Sequence, residues 1–543
     1  MRAAAEGKTW RIGLQPTQTL ALGFAAACFG IFCLLPTCYM LVQSFLGPGG
    51  NLSLHNYRQL LTEPRQRLLL SNSLLLGGGS AVLAAVIGTP LGVLLARVDI
   101  PAKRIVRLVL LVPLVVPPYI LALAWIYVGG SAGLAAMLLG RDLLSNWTYS
   151  ITGAVLVLGL SYFPIVMLAA EGAARCVGSH LEEAALLVAK PGGVFRRITA
   201  PLMAPSIAAA ALLVFVMALA EFGVPGLLRV PVFTTEVFTA FAAFYDFGRA
   251  TALALPLLLA TLSAGFAARL LIGERIITTS RTVLTGLPLS LGNWRLPAVA
   301  MVGLVILLSV ALPLAALVRE SSGAWNASAP VKESGRAITN SLFISAAGAT
   351  LIVAIGTLLG YGIARMRMRA RGVMELISLV SFAVPGTVIA IGLIGLWNRP
   401  GLPGDIYKSM AIIVIACIAR FLPVAALILA AGVRQIPQSA EEAAEVVGAG
   451  WLRIFSRIVL PQLRGGIAAA WVIVFIFSFG ELGATILVAP PGESTLPVRI
   501  YTLLANTTSS QVAALALMQA AIVLTPLILL AIVLNKRGSV DGY

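Results

Sequence analysis

Apolar positions along this chain gather into long runs, and polar residues are confined to short stretches between them. We count twelve runs, at roughly 19–46, 69–96, 108–130, 151–174, 205–228, 250–272, 297–318, 341–364, 373–396, 410–433, 467–489 and 511–535. A helix needs about 20 apolar residues to cross the hydrocarbon core of a bilayer. The pattern therefore predicts an all-α polytopic membrane protein with about 12 transmembrane helices, whose connections are too short to be separate domains. The first run follows a basic stretch holding Arg2, Lys8 and Arg11, which looks like the start of a signal peptide. It exceeds the apolar core of a signal peptide, about 7–15 residues, so it reads as a retained first span.

The pattern also repeats. Asn72-Ser73-Leu74 recurs as Asn340-Ser341-Leu342, Gly88-Thr89-Pro90-Leu91-Gly92 as Gly356-Thr357-Leu358-Leu359-Gly360, Ala96-Arg97 as Ala364-Arg365, and Val116-Pro117 as Val384-Pro385, all at an offset of 268. Glu182-Glu183-Ala184-Ala185 recurs as Glu441-Glu442-Ala443-Ala444 at an offset of 259, and Glu221-Phe222-Gly223 as Glu481-Leu482-Gly483 at 260. A collinear series of this kind marks an internal duplication. Six spans in each copy bring the chain back to the side where it started. The copies are then parallel repeats about an axis along the membrane normal, with a pathway expected on that axis. The paired GxxxG segments suit close helix packing.

Composition sharpens this picture. The chain has 543 residues, of which 59% are hydrophobic and 11% charged, and its mean hydropathy is +0.97. A soluble domain carries about 25% charged residues, so a soluble enzyme and a disordered chain are both excluded. The net charge of +17 admits nucleic acid, anionic lipid or the basic bias of cytoplasmic loops as its explanation. Placement decides among them. With the N-terminus inside, 25 of the 38 basic residues fall in cytoplasmic segments, 12 fall outside, and Arg420 lies within a span. That bias predicts both termini in the cytoplasm, membrane lipid as surroundings and no nucleic-acid partner. The resulting division is a cytoplasmic segment 1–18, a first six-span domain 19–275, a cytoplasmic linker 276–296, a second six-span domain 297–535 and a tail 536–543. The five cysteines, Cys28, Cys33, Cys38, Cys176 and Cys417, form no CxxC and read as small apolar helix residues. His55 and His180 are too far apart in sequence to suggest a metal centre.

The most specific signal lies after the fourth span of each copy. The second copy reads Glu442-Ala443-Ala444, three residues, Gly448, nine residues, then Ile458-Val459-Leu460-Pro461. The first reads Glu183-Ala184-Ala185, has Ala189 where Gly448 stands in the second, and reaches Ile198 and Pro201 one residue early. Physically, Glu182 and Glu183, or Glu441 and Glu442, open a short helix whose positive dipole end suits acidic side chains. Gly448 closes that helix with a left-handed cap, and Gly192 or Gly193 is expected to supply a displaced turn in the first copy. The pattern resembles the EAA loop of binding-protein-dependent ABC-transporter permeases. The resemblance implies a coupling helix in each copy that fits a cleft on an ATPase subunit. No GxxxxGK[ST] is present, so the chain is expected to be no enzyme and to bind no cofactor itself. ATP and Mg are expected on two copies of a partner ATPase, and a periplasmic binding protein is the further expected partner, in a bacterial inner membrane. Two fused permease domains look most like the ferric-iron permeases, to which Ala220-Glu221-Phe222-Gly223-Val224-Pro225-Gly226 and Pro113-Leu114-Val115-Val116-Pro117-Pro118-Tyr119 are similar. Fused relatives for thiamine, phosphonate or sugar phosphate remain open.

Ionisable residues inside spans are functional candidates by default. Glu221 and Glu481 sit late in the fifth and eleventh spans, and the rise from Pro205 puts Glu221 near the outer side, about 24 Å along. Two such carboxylates facing a central pathway suit a hard cation such as Fe(III), or they are ordinary helix-end glutamates. Arg420, whose counterpart is Ser161, either pairs with Glu481 or favours an anionic substrate. Pro164 and Pro423 are expected to kink their spans. Two other classes compete with the ABC importer. An ion-coupled secondary transporter leaves the duplicated loops unexplained, and a membrane-embedded enzyme needs a His, Asp or Cys cluster that is not visible.

Overall fold

The computed structural model describes residues 15–538 apart from 47–50, 99, 101, 132, 140–143, 178, 273–291, 323, 325–328 and 367. The basic N-terminal stretch with Arg2, Lys8 and Arg11, most of the expected linker 276–296, and residues 539–543 of the tail lie outside the described residues. Among the described residues the chain is helical, with no strand and one isolated bridge between Leu46 and Leu52. Among the described residues eleven helices are long and apolar enough to cross a membrane, or twelve if one bent pair forms a single span.

The first half runs α1 Pro16–Ser44, α2 Pro64–Arg97, α3 Lys103–Val115, α4 Pro118–Gly129, α5 Ile151–Cys176, α6 Ser179–Leu186, α7 Ala200–Leu219 and α8 Phe247–Ile272. The second half repeats the series as α9 Arg295–Ser321, α10 Ala329–Arg365, α11 Met368–Ala383, α12 Gly386–Trp397, α13 Ala411–Arg434, α14 Gln438–Val446, α15 Leu460–Phe479 and α16 Ser509–Gly538. The closest packing in each half joins α2 to α5 and α10 to α13, and the repeated GxxxG segments are the reason. A Cβ on Gly88 or Gly92 would come 2.7 Å from the Phe163 carbonyl oxygen or 2.4 Å from that of Met167. On Gly360 it would lie 2.8 Å from the Ala426 oxygen. Only glycine lets these backbones approach so closely.

Two expectations about the spans need correction. The third and ninth runs are not continuous. Each breaks before or at a proline, between α3 and α4 around Val116-Pro117 and between α11 and α12 around Val384-Pro385, the latter with a 92° bend. Proline disfavours the helical conformation of the residue before it and lacks the N–H that would continue the ladder. The fifth and eleventh runs end early, at Leu219 and Phe479, so Glu221 and Glu481 stand in breaks rather than on helices. By contrast, α5 and α13 run on through Pro164 and Pro423.

Four π-helical turns occur among the described residues, Gly30–Leu34, Phe195–Thr199, Leu307–Ala311 and Phe455–Val459. Each is followed two residues later by a proline: Pro36, Pro201, Pro313 and Pro461. The proline ring crowds the carbonyl four residues back, and a widened turn relieves that clash without breaking the helix.

The halves are interlocked through their first helices. α1 packs on α10, α12 and α13 of the other half, while α9 packs on α3 and α4. A Cβ on Gly392 would lie 2.4 Å from the Pro36 carbonyl oxygen, so α12 accepts α1 only because that residue is glycine.

Candidate functional site

Two features recur at equivalent places in both halves: a tethered surface loop at one end of the bundle, and a glutamate in a helix break at its centre.

The loop in the second half is built on α14. Its first motif glutamate, Glu441, is buried and turns inward. Arg365 at the end of α10 donates to Oε1, and the Tyr361 hydroxyl donates to Oε2 at 2.9 Å. Arg365 also donates to the Ile436 carbonyl at 3.3 Å. The Tyr361 ring meets Trp451 and Phe455 edge-on, with centroids 6.1 and 5.5 Å away. The helix ends at Gly448, whose φ is +81°. The Ala449 N–H donates to the Ala444 carbonyl and the Gly448 N–H to that of Glu445, at 3.0 and 2.9 Å. This pair of bonds is a Schellman closure, which needs a left-handed residue at this position. Glu442 and Ala443 face outward, and Ala444 is half-buried.

The first half makes the same tether with different neighbours. Arg97 at the end of α2 donates to Glu182 at 2.7 and 3.2 Å, and its Nε donates to the Ala174 carbonyl at 2.9 Å. The third ligand is the Thr199 hydroxyl, 2.7 Å from Glu182 Oε1. Glu183 and Ala184 are exposed and Ala185 is half-buried. The loop stops through bonds from the Val188 and Ala189 N–H groups to the Ala185 carbonyl, at 3.1 and 2.9 Å. No displaced glycine turn is present. Gly192 and Gly193 lie inside a short helix, Pro191–Val194, and neither has positive φ. Four residues, 187–190, link the two helices as four do in the second loop, but none of them is left-handed.

Ile198 and Ile458 occupy the two π turns half-buried, and Pro201 and Pro461 open the long helices that follow, solvent-exposed. Both loops carry bare apolar side chains beyond the alanines. Leu187, Val188, Val446 and Val447 are between 82% and 89% exposed.

At the centre of the bundle, Glu221 and Glu481 line one cavity of about 90 Å³. Tyr162, Arg420, Pro117, Phe382 and Phe477 contribute to its wall. Arg420 Nε lies 3.0 Å from Glu481 Oε2, so the ion-pair alternative for Arg420 is the one realised. Each carboxylate also binds the backbone just past its break. Glu481 Oε1 accepts from the Ala484 N–H at 2.8 Å, and Glu221 Oε1 accepts from the Gly223 N–H at 3.0 Å. The Tyr162 hydroxyl donates to Glu221 Oε2 at 3.4 Å. Tyr162 stands 11 residues into the 26-residue α5, and Arg420 9 residues into the 24-residue α13. Glu221 and Glu481 are therefore level with the middle stretches of these two helices. The helices α2 and α10 begin at Pro64 and Ala329, before the expected 69 and 341.

The repeated Asn-Ser pair closes this region from the end opposite the loops. Asn72 Nδ2 donates to the Pro231 carbonyl at 2.9 Å and Ser73 Oγ accepts from the Phe233 N–H at 3.0 Å. Asn340 donates to Glu493 at 2.8 Å and Ser341 accepts from the Leu496 N–H at 2.7 Å. Each pair ties down the segment that follows its glutamate break. A buried bond from the Tyr119 hydroxyl to Gln519 Oε1, and from Gln519 Nε2 to the Phe479 carbonyl at 3.2 Å, joins the two halves beside the cavity.

The roles of Arg97, Arg365, Tyr162, Tyr361 and Gln519 do not emerge from the sequence reading. The two arginines carried a signal, since they recur at the same offset as their surroundings, but they counted there only as topology charges. All five cysteines are free. Among the described residues no group of three His, Cys, Asp or Glu residues is arranged to hold a metal ion.

The comparisons with known proteins bear on the whole chain. The chain is 26% identical over 459 residues to the Fe(3+)-transport system permease protein FbpB 2 of Haemophilus influenzae, covering 82% of this chain and 85% of the relative. It is 25% identical over 446 residues to the ferric transport system permease protein FbpB of Actinobacillus pleuropneumoniae, covering 77% and 64%. The molybdenum transport system permease protein ModB of Mycobacterium tuberculosis is 34% identical over 165 residues, 30% of this chain and 62% of that protein. The profile of one family matches twice, over residues 88–277 and 352–537, once in each half. With two helical repeats and matches that take in both surface loops, the chain belongs to the family described as the binding-protein-dependent transport system inner membrane component.

Proposed function

We propose that the chain is the membrane subunit of an ATP-driven importer of ferric iron. Its two loops transmit the work of two separate ATPase subunits, and a substrate-binding protein delivers cargo at the opposite face. In this reading the loops and both termini face the cytoplasm. The observation that carries the coupling role is the duplicated tether. In each half a motif glutamate is locked to the end of a long membrane helix, while its neighbours Leu187 and Val188, or Val446 and Val447, stay bare. A push on such a loop reaches α2 or α10 through a buried ion pair instead of dissipating in a floppy connection. Bare valines and leucines beside water suit a partner that covers them.

The substrate assignment rests on the ferric permease relatives and on the hard-oxygen character of Glu221, Glu481 and Tyr162 around the cavity. Arg420 is engaged by Glu481 in this arrangement, and two carboxylates outnumber it in the cavity wall, which favours a cationic over an anionic cargo. ATP binding and hydrolysis on the partner favour one arrangement of the halves over another, and cargo crosses as the populations alternate.

Two measurements test this. Glu442→Ala with Gly448→Ala is expected to weaken co-purification of the ATPase and to reduce ATP-driven uptake. Undiminished assembly and uptake would contradict the coupling role. Uptake of radiolabelled ferric iron set against phosphonate and thiamine decides the cargo, and the iron assignment fails if either competitor is carried in its place.

A further inference from the structure

The two central carboxylates are related by the repeat, but their partners are not. Glu221 accepts bonds from Gly223 and Tyr162 and forms no ion pair among the described residues. Glu481 is paired with Arg420. At the position of Arg420 the first half has Ser161, whose hydroxyl turns back to the Val157 carbonyl at 2.8 Å. The cavity therefore holds two carboxylates and one guanidinium, a formal charge of −1 where two copies of the first half's arrangement would give −2.

The pair is held by three elements that meet at helix breaks. Arg420 comes from α13, and Glu481 from the break after α15. Gly386 opens α12 just past the 92° bend. A Cβ on Gly386 would lie 2.0 Å from Arg420 Nη1 and 2.6 Å from Glu481 Oε1, so the bend leaves room for the ion pair only because that residue is glycine. Movement of α13 relative to the break after α15 pulls the pair apart, and α12 packs against both through Gly386. In an apolar bundle an unbalanced carboxylate is costly and holds a multivalent cation tightly, which opposes release.

We propose that Arg420 is a built-in counter-cation. It occupies Glu481 while the pathway is shut and yields that carboxylate to the transported cation when the halves re-pack. Glu221 with Tyr162 is then the unblocked hard-oxygen contact, and the pathway is one-sided although the fold is duplicated. This rests on the cation reading above and assigns the arginine a positioning and selectivity role within it.

The test uses the complete complex of permease, ATPase subunits and binding protein in proteoliposomes. Four permeases are compared: wild type, Arg420→Lys, Arg420→Gln and the double variant Arg420→Gln/Glu481→Gln. The readouts are radiolabelled ferric iron uptake, iron retained on the purified permease, and the melting temperature of the complex. Arg420→Gln is expected to lose uptake roughly tenfold or more while retaining more iron than wild type. Arg420→Lys keeps the charge and stays within about threefold of wild type, and the double variant recovers most of the loss. Uptake by Arg420→Gln at the wild-type rate with no retained iron would overturn the proposal. So would a fall in melting temperature that accounts for the loss equally in the lysine variant. If wild type carries no iron, the substrate reading fails. The counter-cation is then decided by thallous-ion leak through the ATP-bound complex, which Arg420→Gln raises about fivefold and the double variant does not; equal leak in wild type and Arg420→Gln would overturn it.

Discussion

The two surface loops share a tether and differ in everything around it. In the first, Glu182 is gripped by Arg97 and Thr199, and the helix ends without a left-handed residue. In the second, Glu441 is gripped by Arg365 and Tyr361, aromatic rings pack beneath it, and Gly448 turns left-handed to close the helix. The duplication has kept the ion pair from helix end to loop and let the rest drift. On the proposed coupling reading the pair is the mechanical element, and the glycine is one of two ways to stop a helix. A charge swap elsewhere makes the same point. α3 binds α5 through Arg107 and Glu171 at 3.2 Å, whereas α11 binds α13 through Glu375 and Arg434. The contact is kept in both halves and its polarity is reversed.

The comparison breaks most sharply at the tether. Arg97→Met leaves Glu182 buried without its cation, an effect of about 3–5 kcal/mol. The melting temperature of the purified permease should fall steeply and ATPase co-purification should be lost. The Arg97 side chain is 3% exposed and that of Arg365 15%, so Arg365→Met is expected to cost less. Equal, small losses in both would refute the tether. Next comes Gly386→Ala, where the added methyl displaces the Arg420 head. Overpacking of this kind costs roughly 1–3 kcal/mol; uptake should drop while ATPase binding to the loops is kept. Tyr361→Phe and Thr199→Val each remove one bond to a tethered glutamate, worth about 1.5 kcal/mol, and parallel ATPase titrations should give similar losses for the two. Smallest is the glycine contrast. Gly448→Ala forces a Cβ residue left-handed at about 1–2 kcal/mol. Ala189→Gly should leave coupling within about 0.5 kcal/mol of wild type, because that backbone never turns left-handed. A gain of coupling in Ala189→Gly would show that the first loop is a damaged copy and not an alternative design.

Much of the fold was legible along the chain, because apolar run length reports membrane helices directly. The repeats were legible because Asn72-Ser73, Gly88 to Gly92, Arg97 and the paired glutamates recur in order. What escaped are relations that no local pattern carries. Arg97 and Glu182 are 85 residues apart, and only the fold brings them together. The exchange of α1 and α9 between halves depends on glycines such as Gly392, which look like any other helix glycine until Pro36 arrives. Val116-Pro117 and Val384-Pro385 were visible as a repeat, yet an unbroken apolar run disguises a helix break. Glu221 and Glu481 were found, but their unbroken apolar runs gave no sign that the helices stop at Leu219 and Phe479 just before them.

The most direct test of the account is the energy source of uptake by the reconstituted complex. With binding protein outside and ATPase subunits bound to both loops, ferric iron is predicted to accumulate only when ATP is supplied to the loop side, with both Arg97 and Arg365 intact. Accumulation that follows an ion gradient without ATP, or that survives loss of both tethers, would contradict it.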